Sequence, residues 1–139
     1  MRKYLALFAF LAAFTTASWS AEALCLHEKN TVEEAHCLSV ELDKADKVLA
    51  DYLDAAKQRI ASENNGKPQL DPAQEAWLHY RSLQCGDVYT YWEAGSYRYR
   101  ADLECEIELT HARTREIWSA YLRNFGGSPD LRPEPGKDE

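Results

Sequence analysis

Four cysteines, Cys25, Cys37, Cys85 and Cys105, constrain the fold of this chain more than any other feature. An even number of cysteines in a small exported domain is typical of a disulfide framework, and four cysteines form two bridges. Three pairings are possible, and their spacing along the chain does not by itself choose among them. Any predicted arrangement of secondary structure must therefore bring two pairs of these residues together.

The chain begins with the three-part pattern of a secretory signal peptide. Met1-Arg2-Lys3 is cationic, Tyr4 to Phe14 is almost continuously apolar, and small or polar residues follow from Thr15 to Ala23. The apolar run is too short to span a membrane comfortably. We expect residues 1–20 to be a signal peptide, and the two candidate cleavage positions follow Ser20 and Ala23. The mature chain is then expected to be periplasmic or secreted in a bacterium, without membrane insertion.

Apolar residues recur at alternating spacings of three and four after Thr31-Val32-Glu33-Glu34, which has the pattern of a capping box. This predicts a long helix over about residues 32–62. A second helix is predicted from Asp71-Pro72 to near Gly95, and a third from about residue 97 to residue 125, ended by Gly126-Gly127. Residues 126–139 hold three of the five prolines and are predicted to be a disordered tail.

The last two helices are predicted to form an antiparallel hairpin that turns at Gly95. Cys85 and Cys105 each lie ten residues from Gly95, about 15 Å along a helix, and are therefore level with each other. This favours a Cys85–Cys105 disulfide and leaves Cys25 to pair with Cys37. The predicted fold is all-α: a small three-helix antiparallel bundle over residues 24–125, stapled by two disulfides.

The chain resembles the lysozyme-inhibitor LprI-like family, a set of small exported helical domains. The residues that carry the resemblance are the four cysteines together with Thr31-Val32-Glu33, Gln74, Trp77-Leu78, Tyr80-Arg81, Gly95-Ser96, Thr110, Arg113-Thr114 and Glu116. The resemblance covers nearly all of residues 25–122. It implies a helical disulfide-linked fold and inhibition of lysozyme, and the fold is the firmer of these two implications because one fold can carry several functions.

No motif in the sequence indicates an enzyme, and no cofactor is expected. There is no glycine-rich phosphate loop, no Gly-x-Ser-x-Gly and no His-Glu-x-x-His. Cys25-x-His27 and His36-Cys37 would allow a zinc site, but an oxidising compartment favours the disulfide, so no metal site is predicted. The net charge of −7 argues against nucleic-acid binding, which rewards clusters of lysine and arginine.

Aromatic residues are dense around the predicted hairpin turn. Tyrosine, tryptophan and arginine dominate the hot spots of protein interfaces because they bury a large area and carry a polar group. These residues serve either a recognition surface or the protein's own packing, and the sequence favours neither. The predicted partner-binding residues are Tyr89, Tyr91, Trp92, Tyr97, Arg98 and Tyr99, with Arg100 beside them.

Two residues of the family pattern are predicted to be structural. Trp77 is expected in the core, because it is large and faces the first helix. Arg81 is expected to pair with a carboxylate, for which Glu108 and Glu116 are the candidates.

These observations favour a binding module over an enzyme. The first hypothesis is a lysozyme-inhibitor-like protein that occludes a cationic lysozyme, toward which the acidic chain would be steered. The alternative is an envelope module that binds peptidoglycan or another protein without inhibition, for instance by stacking sugars on the aromatic residues of the turn.

Overall fold

The computed structural model describes residues 25–63, 68, 70–93, 95–124, 126 and 129–136. The predicted signal peptide and its cleavage position lie outside the described residues, as does residue 125. The third helix was predicted to reach residue 125, but its helical part ends at Leu122, because the backbone of Arg123 is extended. Three helices are present: α1 (Thr31–Glu63), α2 (Leu70–Tyr91) and α3 (Tyr97–Ile117), and α3 continues as a π-helical turn (Trp118–Leu122). No strand occurs within the described ranges. The predicted all-α fold is confirmed.

The first helix is capped one residue earlier than the sequence predicted. The Asn30 Oδ1 atom accepts hydrogen bonds from the backbone N–H groups of Val32 and Glu33, both at 3.0 Å. Asn30 thus takes the role that the capping box assigned to Thr31, because a short amide side chain satisfies the free N–H groups of a first turn equally well.

The three helices alternate in direction, and α3 packs against both of the others. Arg100, near the start of α3, pairs with Glu34 near the start of α1, and Arg59 near the end of α1 bonds the carbonyl of Tyr121. Helix α1 therefore runs parallel to α3, and α2 runs antiparallel to both. The tight hairpin joins α2 to α3, which places the aromatic turn at the same end as the start of α1.

The core lies mainly between α1, the end of α3 and the π-helical turn. An apolar helix face becomes stable by packing against a second such face, and the buried face of α1 meets that of α3 here. Helix α2 contributes less, since only Leu70 and Cys85 are buried among its residues, all of which are described. The largest buried cluster is Leu49, Tyr52, Leu53, Ala56, Leu70, Ile117, Trp118 and Leu122.

Both predicted disulfides are confirmed. The Cα atoms of Cys85 and Cys105 are 5.6 Å apart, and those of Cys25 and Cys37 are 5.9 Å apart. The Cys85–Cys105 disulfide links α2 to α3. Both cysteines lie ten residues from Gly95, so they lie at the same height on the two helices of the hairpin. The Cys25–Cys37 disulfide ties the segment before α1 to its second turn.

The described residues of the segment after the π-helical turn form hydrogen bonds with the bundle. Tyr52 Oη donates a hydrogen bond to the Pro133 carbonyl at 2.8 Å, and Trp118 Nε1 donates to the Arg132 carbonyl at 3.0 Å. These buried aromatic side chains need hydrogen-bond partners, and the tail provides them. None of the described helices is both long enough and apolar enough to cross a membrane.

Candidate partner-binding site

The six predicted partner-binding residues lie together around the hairpin turn, and we call them the tip cluster: Tyr89, Tyr91, Trp92, Tyr97, Arg98 and Tyr99. Tyr89 and Tyr91 belong to the last turn of α2, and Tyr97 begins α3. Gly95 closes the turn with a φ of +129°, a conformation that side chains with a Cβ rarely adopt.

Three rings of the tip cluster form a continuous edge-to-face stack. The Trp92 ring lies 4.7 Å from that of Tyr97, at an interplanar angle of 78°, and 5.4 Å from that of Tyr91, at 87°. Edge-to-face pairs at these distances are favourable and restrict the motion of each ring. The stack is nevertheless open to solvent, since Tyr91 is 81% exposed, Trp92 44% and Tyr97 48%.

The rest of the tip cluster is built around a guanidinium group. The Arg98 guanidinium lies 4.8 Å from the centre of the Tyr89 ring and 5.0 Å from that of Tyr99, so that both rings make cation–π contacts with it. Arg98 Nη2 also donates a hydrogen bond to Tyr99 Oη at 3.2 Å. The hydrogen bond between the two tyrosine hydroxyls lowers the pKa of Tyr99 and raises the pKa of Tyr89.

Arg100 does not belong to the tip cluster, although it is adjacent in sequence. Its side chain is buried and pairs with Glu34 on α1 and, at 2.5 Å, with Glu104 on α3. Arg98 and Arg100 therefore have different roles, although only one residue lies between them. Arg98 supports the exposed rings, and Arg100 attaches α3 to α1.

Exposed carboxylates lie at the same end of the bundle as the tip cluster. Glu28 precedes α1 and Glu33 lies in its first turn, and Asp87 and Glu93 are neighbours of the aromatic residues in sequence on the α2 side. Acidic groups at the edge of an aromatic patch attract a positively charged surface while the aromatic side chains provide the contact area.

Below the tip, two carboxylates of α3, those of Asp102 and Glu106, are partly buried in the bundle. Burial raises the pKa of Asp102, and burial is also the main cause of the raised pKa of Glu106. Their spacing of four residues on α3 was visible in the sequence, but their partial burial depends on how the helices pack. Asp102 also lies close enough to Tyr89 to raise the pKa of that hydroxyl.

The charge of Asp102 is expected to oppose folding at neutral pH. Its pKa is higher in the folded than in the unfolded chain, so its stabilising contribution is complete below the unfolded value of about 4 and is lost as the pH rises through the folded value. Asp102→Asn should therefore raise Tm at pH 7 and have little effect on Tm at pH 3. Thermal unfolding at both pH values tests this, with the exposed Asp43→Asn as control. A lower Tm for Asp102→Asn at pH 7 would contradict it.

The residues of the family pattern on α2 divide between the two sides of the helix: Leu78 and Tyr80 are exposed, whereas Arg81 faces into the bundle. Arg81 Nη1 donates to Asp46 Oδ1 at 2.5 Å and to Thr110 Oγ1 at 2.6 Å. The predicted partners Glu108 and Glu116 were wrong, because the carboxylate that pairs with Arg81 is that of Asp46 on α1. Its role as a structural ion-pair residue is as expected.

Trp77 lies at the edge of the core and not inside it. It is partly buried, packs against the main apolar cluster, and has the guanidinium groups of Arg81 at 5.2 Å and Arg113 at 6.0 Å from its ring centre. Arg113 in turn bonds Gln74 on α2 at 3.1 Å. These residues hold α2 on the bundle.

The hypothetical zinc site does not form with these cysteines. Cys25 and Cys37 are joined in a disulfide, so neither sulfur is a thiolate that could bind a metal ion. In the part of the chain that the structure describes, no group of three or more metal-binding side chains comes together.

The fold and its contacts define a class of protein: a small all-helical domain, stapled by two disulfides, with a rigid aromatic tip. The chain belongs to the lysozyme inhibitor LprI family, whose model matches residues 25–117. No curated protein and no solved structure matches the chain. The matched region includes both disulfides, the three helices and the whole tip cluster.

Proposed function

We propose that this protein binds a cationic lysozyme through the tip cluster and blocks the substrate cleft of the enzyme. The family supports the choice of lysozyme as the target. The observation that carries the choice of surface is the exposed stack of Tyr91, Trp92 and Tyr97 at the end of a disulfide-linked hairpin.

Rigid aromatic side chains suit this role for an energetic reason. Binding costs free energy for every side chain that it orders, and rings that already pack on each other lose little further freedom. Trp92 touches a ring on either side, and Tyr99 is held by Arg98. The tip therefore offers about the same surface before and after binding.

The charge of the protein supports a cationic target. The chain has 23 acidic against 16 basic residues, and two of the basic residues lie in the proposed signal peptide. The exposed carboxylates around the tip add a local attraction that would accelerate association with a positively charged enzyme. Such an attraction weakens as salt is added, since the Debye length falls to about 10 Å at 0.1 M.

We also propose that the protein works in the periplasm or outside the cell. Two disulfides are typical of proteins in an oxidising compartment, and the sequence pattern of residues 1–20 supports export. A lysozyme acts in the same compartment, since its substrate is the cell wall.

A lysis assay tests the role of the tip. Purified protein is added to lysozyme and bacterial cell walls, and the inhibition constant is measured for wild type, Trp92→Ala and Tyr80→Ala. Tyr80 is a matched control, because it is an aromatic residue on α2 that is 50% exposed but lies outside the tip cluster. Trp92→Ala should raise the inhibition constant at least tenfold, about 1.4 kcal/mol, and Tyr80→Ala less than threefold.

Two results would contradict the proposal. Equal inhibition by wild type and Trp92→Ala would exclude the tip as the binding surface, and no inhibition of any lysozyme at low salt would exclude the function. Cosedimentation with purified peptidoglycan distinguishes the alternative hypothesis, in which the aromatic residues stack on sugars. Retention that depends on Trp92, without inhibition of lysozyme, would favour that alternative.

A further inference from the structure

A second candidate binding site lies at the end of the bundle away from the tip. Tyr52 of α1 and Trp118 of the π-helical turn are 8% and 5% exposed, and each uses its one polar group to bond the tail. Tyr52 Oη and Trp118 Nε1 donate to the successive carbonyls of Pro133 and Arg132. Two aromatic donors thus bind the backbone, not the side chains, of one short segment.

The tail is suited to be bound in this way. Pro133 and Pro135 have a fixed φ, and Arg132 and Glu134 each precede a proline and so disfavour the helical conformation. The segment is therefore biased away from the helix, and it bends at Leu131 and Arg132 and turns at Pro135 and Gly136. Proteins that bind proline-rich peptides exploit the same property, with aromatic residues packing on the peptide and donating to its carbonyls.

Additional contacts fix the tail at its start. The backbone N–H of Leu131 donates to the carbonyl of Leu122 at 3.0 Å, and the backbone N–H of Asn124 donates to Asp130 Oδ1 at 2.7 Å. These contacts position the following residues over the two aromatic side chains. All of the tail lies beyond residue 117, where the family match ends.

We propose that Tyr52 and Trp118 form a binding site for a proline-containing peptide of a partner protein, and that this chain's own residues 131–135 occupy it as an intramolecular competitor. The tail itself shows the chemistry of the ligand: two adjacent backbone carbonyls in a segment stiffened by prolines. A tethered ligand acts at an effective concentration in the millimolar range. A partner segment therefore binds only when it competes with the tail or when the tail is loosened.

The test uses the full chain and the indole N–H signal of Trp118 in a ¹H–¹⁵N spectrum. The variant Pro133→Gly with Pro135→Gly loosens the tail, because glycine restores the freedom that proline removes. Hydrogen exchange of the Trp118 indole should become at least fivefold faster in this variant, while the Trp77 and Trp92 indoles are unchanged. Unchanged exchange at Trp118 would overturn the proposal, because the prolines would then not hold the tail in place.

A synthetic peptide of residues 129–136 is then titrated into both proteins. We expect it to shift the Trp118 indole signal of the glycine variant at a concentration at least tenfold lower than for wild type. Adding Tyr52→Phe to the glycine variant should weaken peptide binding about threefold to tenfold, the effect of one lost hydrogen bond. The fold is checked by the remaining amide signals.

Two outcomes of this titration would overturn the proposal. One is a glycine variant with an intact spectrum that does not respond to the peptide at millimolar concentration. The other is equal binding of a peptide in which glycine replaces Pro133 and Pro135, since the site would then not select a stiffened backbone. The tip is not involved in either measurement, so inhibition of lysozyme can succeed or fail independently.

Discussion

Replacing Cys85 and Cys105 together by alanine is expected to lower the free energy of unfolding by about 3–4 kcal/mol. The disulfide closes a loop of sequence separation 20, and restricting such a loop in the unfolded chain stabilises the fold by about 3 kcal/mol in the loop-entropy model. Cys85 is fully buried, so the smaller alanine side chains add a packing loss. Urea unfolding followed by circular dichroism measures the difference.

The other disulfide provides the matched control. Cys25 and Cys37 enclose a sequence separation of only 12 and connect α1 to the segment before it, not to another helix. Replacing both by alanine should cost less stability and should leave α2 packed on α3. An equal or larger loss for the Cys25–Cys37 variant would contradict the expectation that the hairpin disulfide contributes more to stability.

Arg81→Ala is expected to lower the free energy of unfolding by about 2–3 kcal/mol. The substitution removes the partner of Asp46, a hydrogen bond to Thr110 and the cation–π contact with Trp77. Breaking a buried ion pair typically costs 3–5 kcal/mol, and we expect less here because the Asp46 side chain is 42% exposed and remains hydrated. The same urea unfolding measures it.

Two further variants test which property of Arg81 causes the loss of stability. Arg115→Ala removes an exposed arginine of α3 and should change the free energy of unfolding by less than about 0.5 kcal/mol. Arg81→Lys keeps the charge but not the planar fork that reaches Asp46 and Thr110 together, so it should recover only part of the loss. A lysine variant as stable as wild type would show that charge alone is responsible.

The hairpin could be predicted from the sequence because its geometry is local. Cys85 and Cys105 are equidistant from Gly95, and an antiparallel pair of helices with a tight turn has one register. The same reasoning placed the tip cluster, since residues beside a short turn cannot be far apart. The exposure of the tip rings did not follow from this reasoning, because it depends on which other elements pack against the turn.

The contacts of α1 could not be predicted in the same way. Asp46 is 35 residues from Arg81 in sequence. The connection between α1 and α2 does not determine how far α1 is shifted along its axis relative to α2. The candidates Glu108 and Glu116 lie on α3, a different helix from the one that carries Asp46. Distant partners of this kind are selected by the packing of the whole bundle.

The contacts of the tail also depend on residues that are distant in sequence. Its composition indicated disorder, since prolines and the lack of large aromatic residues leave little apolar surface to bury. Tyr52 and Trp118 supply the missing partners from outside the segment, and their buried polar atoms require an acceptor.

The sequence by itself determined the helices, the hairpin and its disulfide, because apolar periodicity and distance from a turn are local properties of a chain. Only the tertiary structure decided the partner of Arg81, the exposure of the Trp92 stack and the place of the tail. Each of these depends on how elements far apart in sequence are shifted and rotated relative to one another. Packing determines these shifts and rotations through many weak contacts acting together.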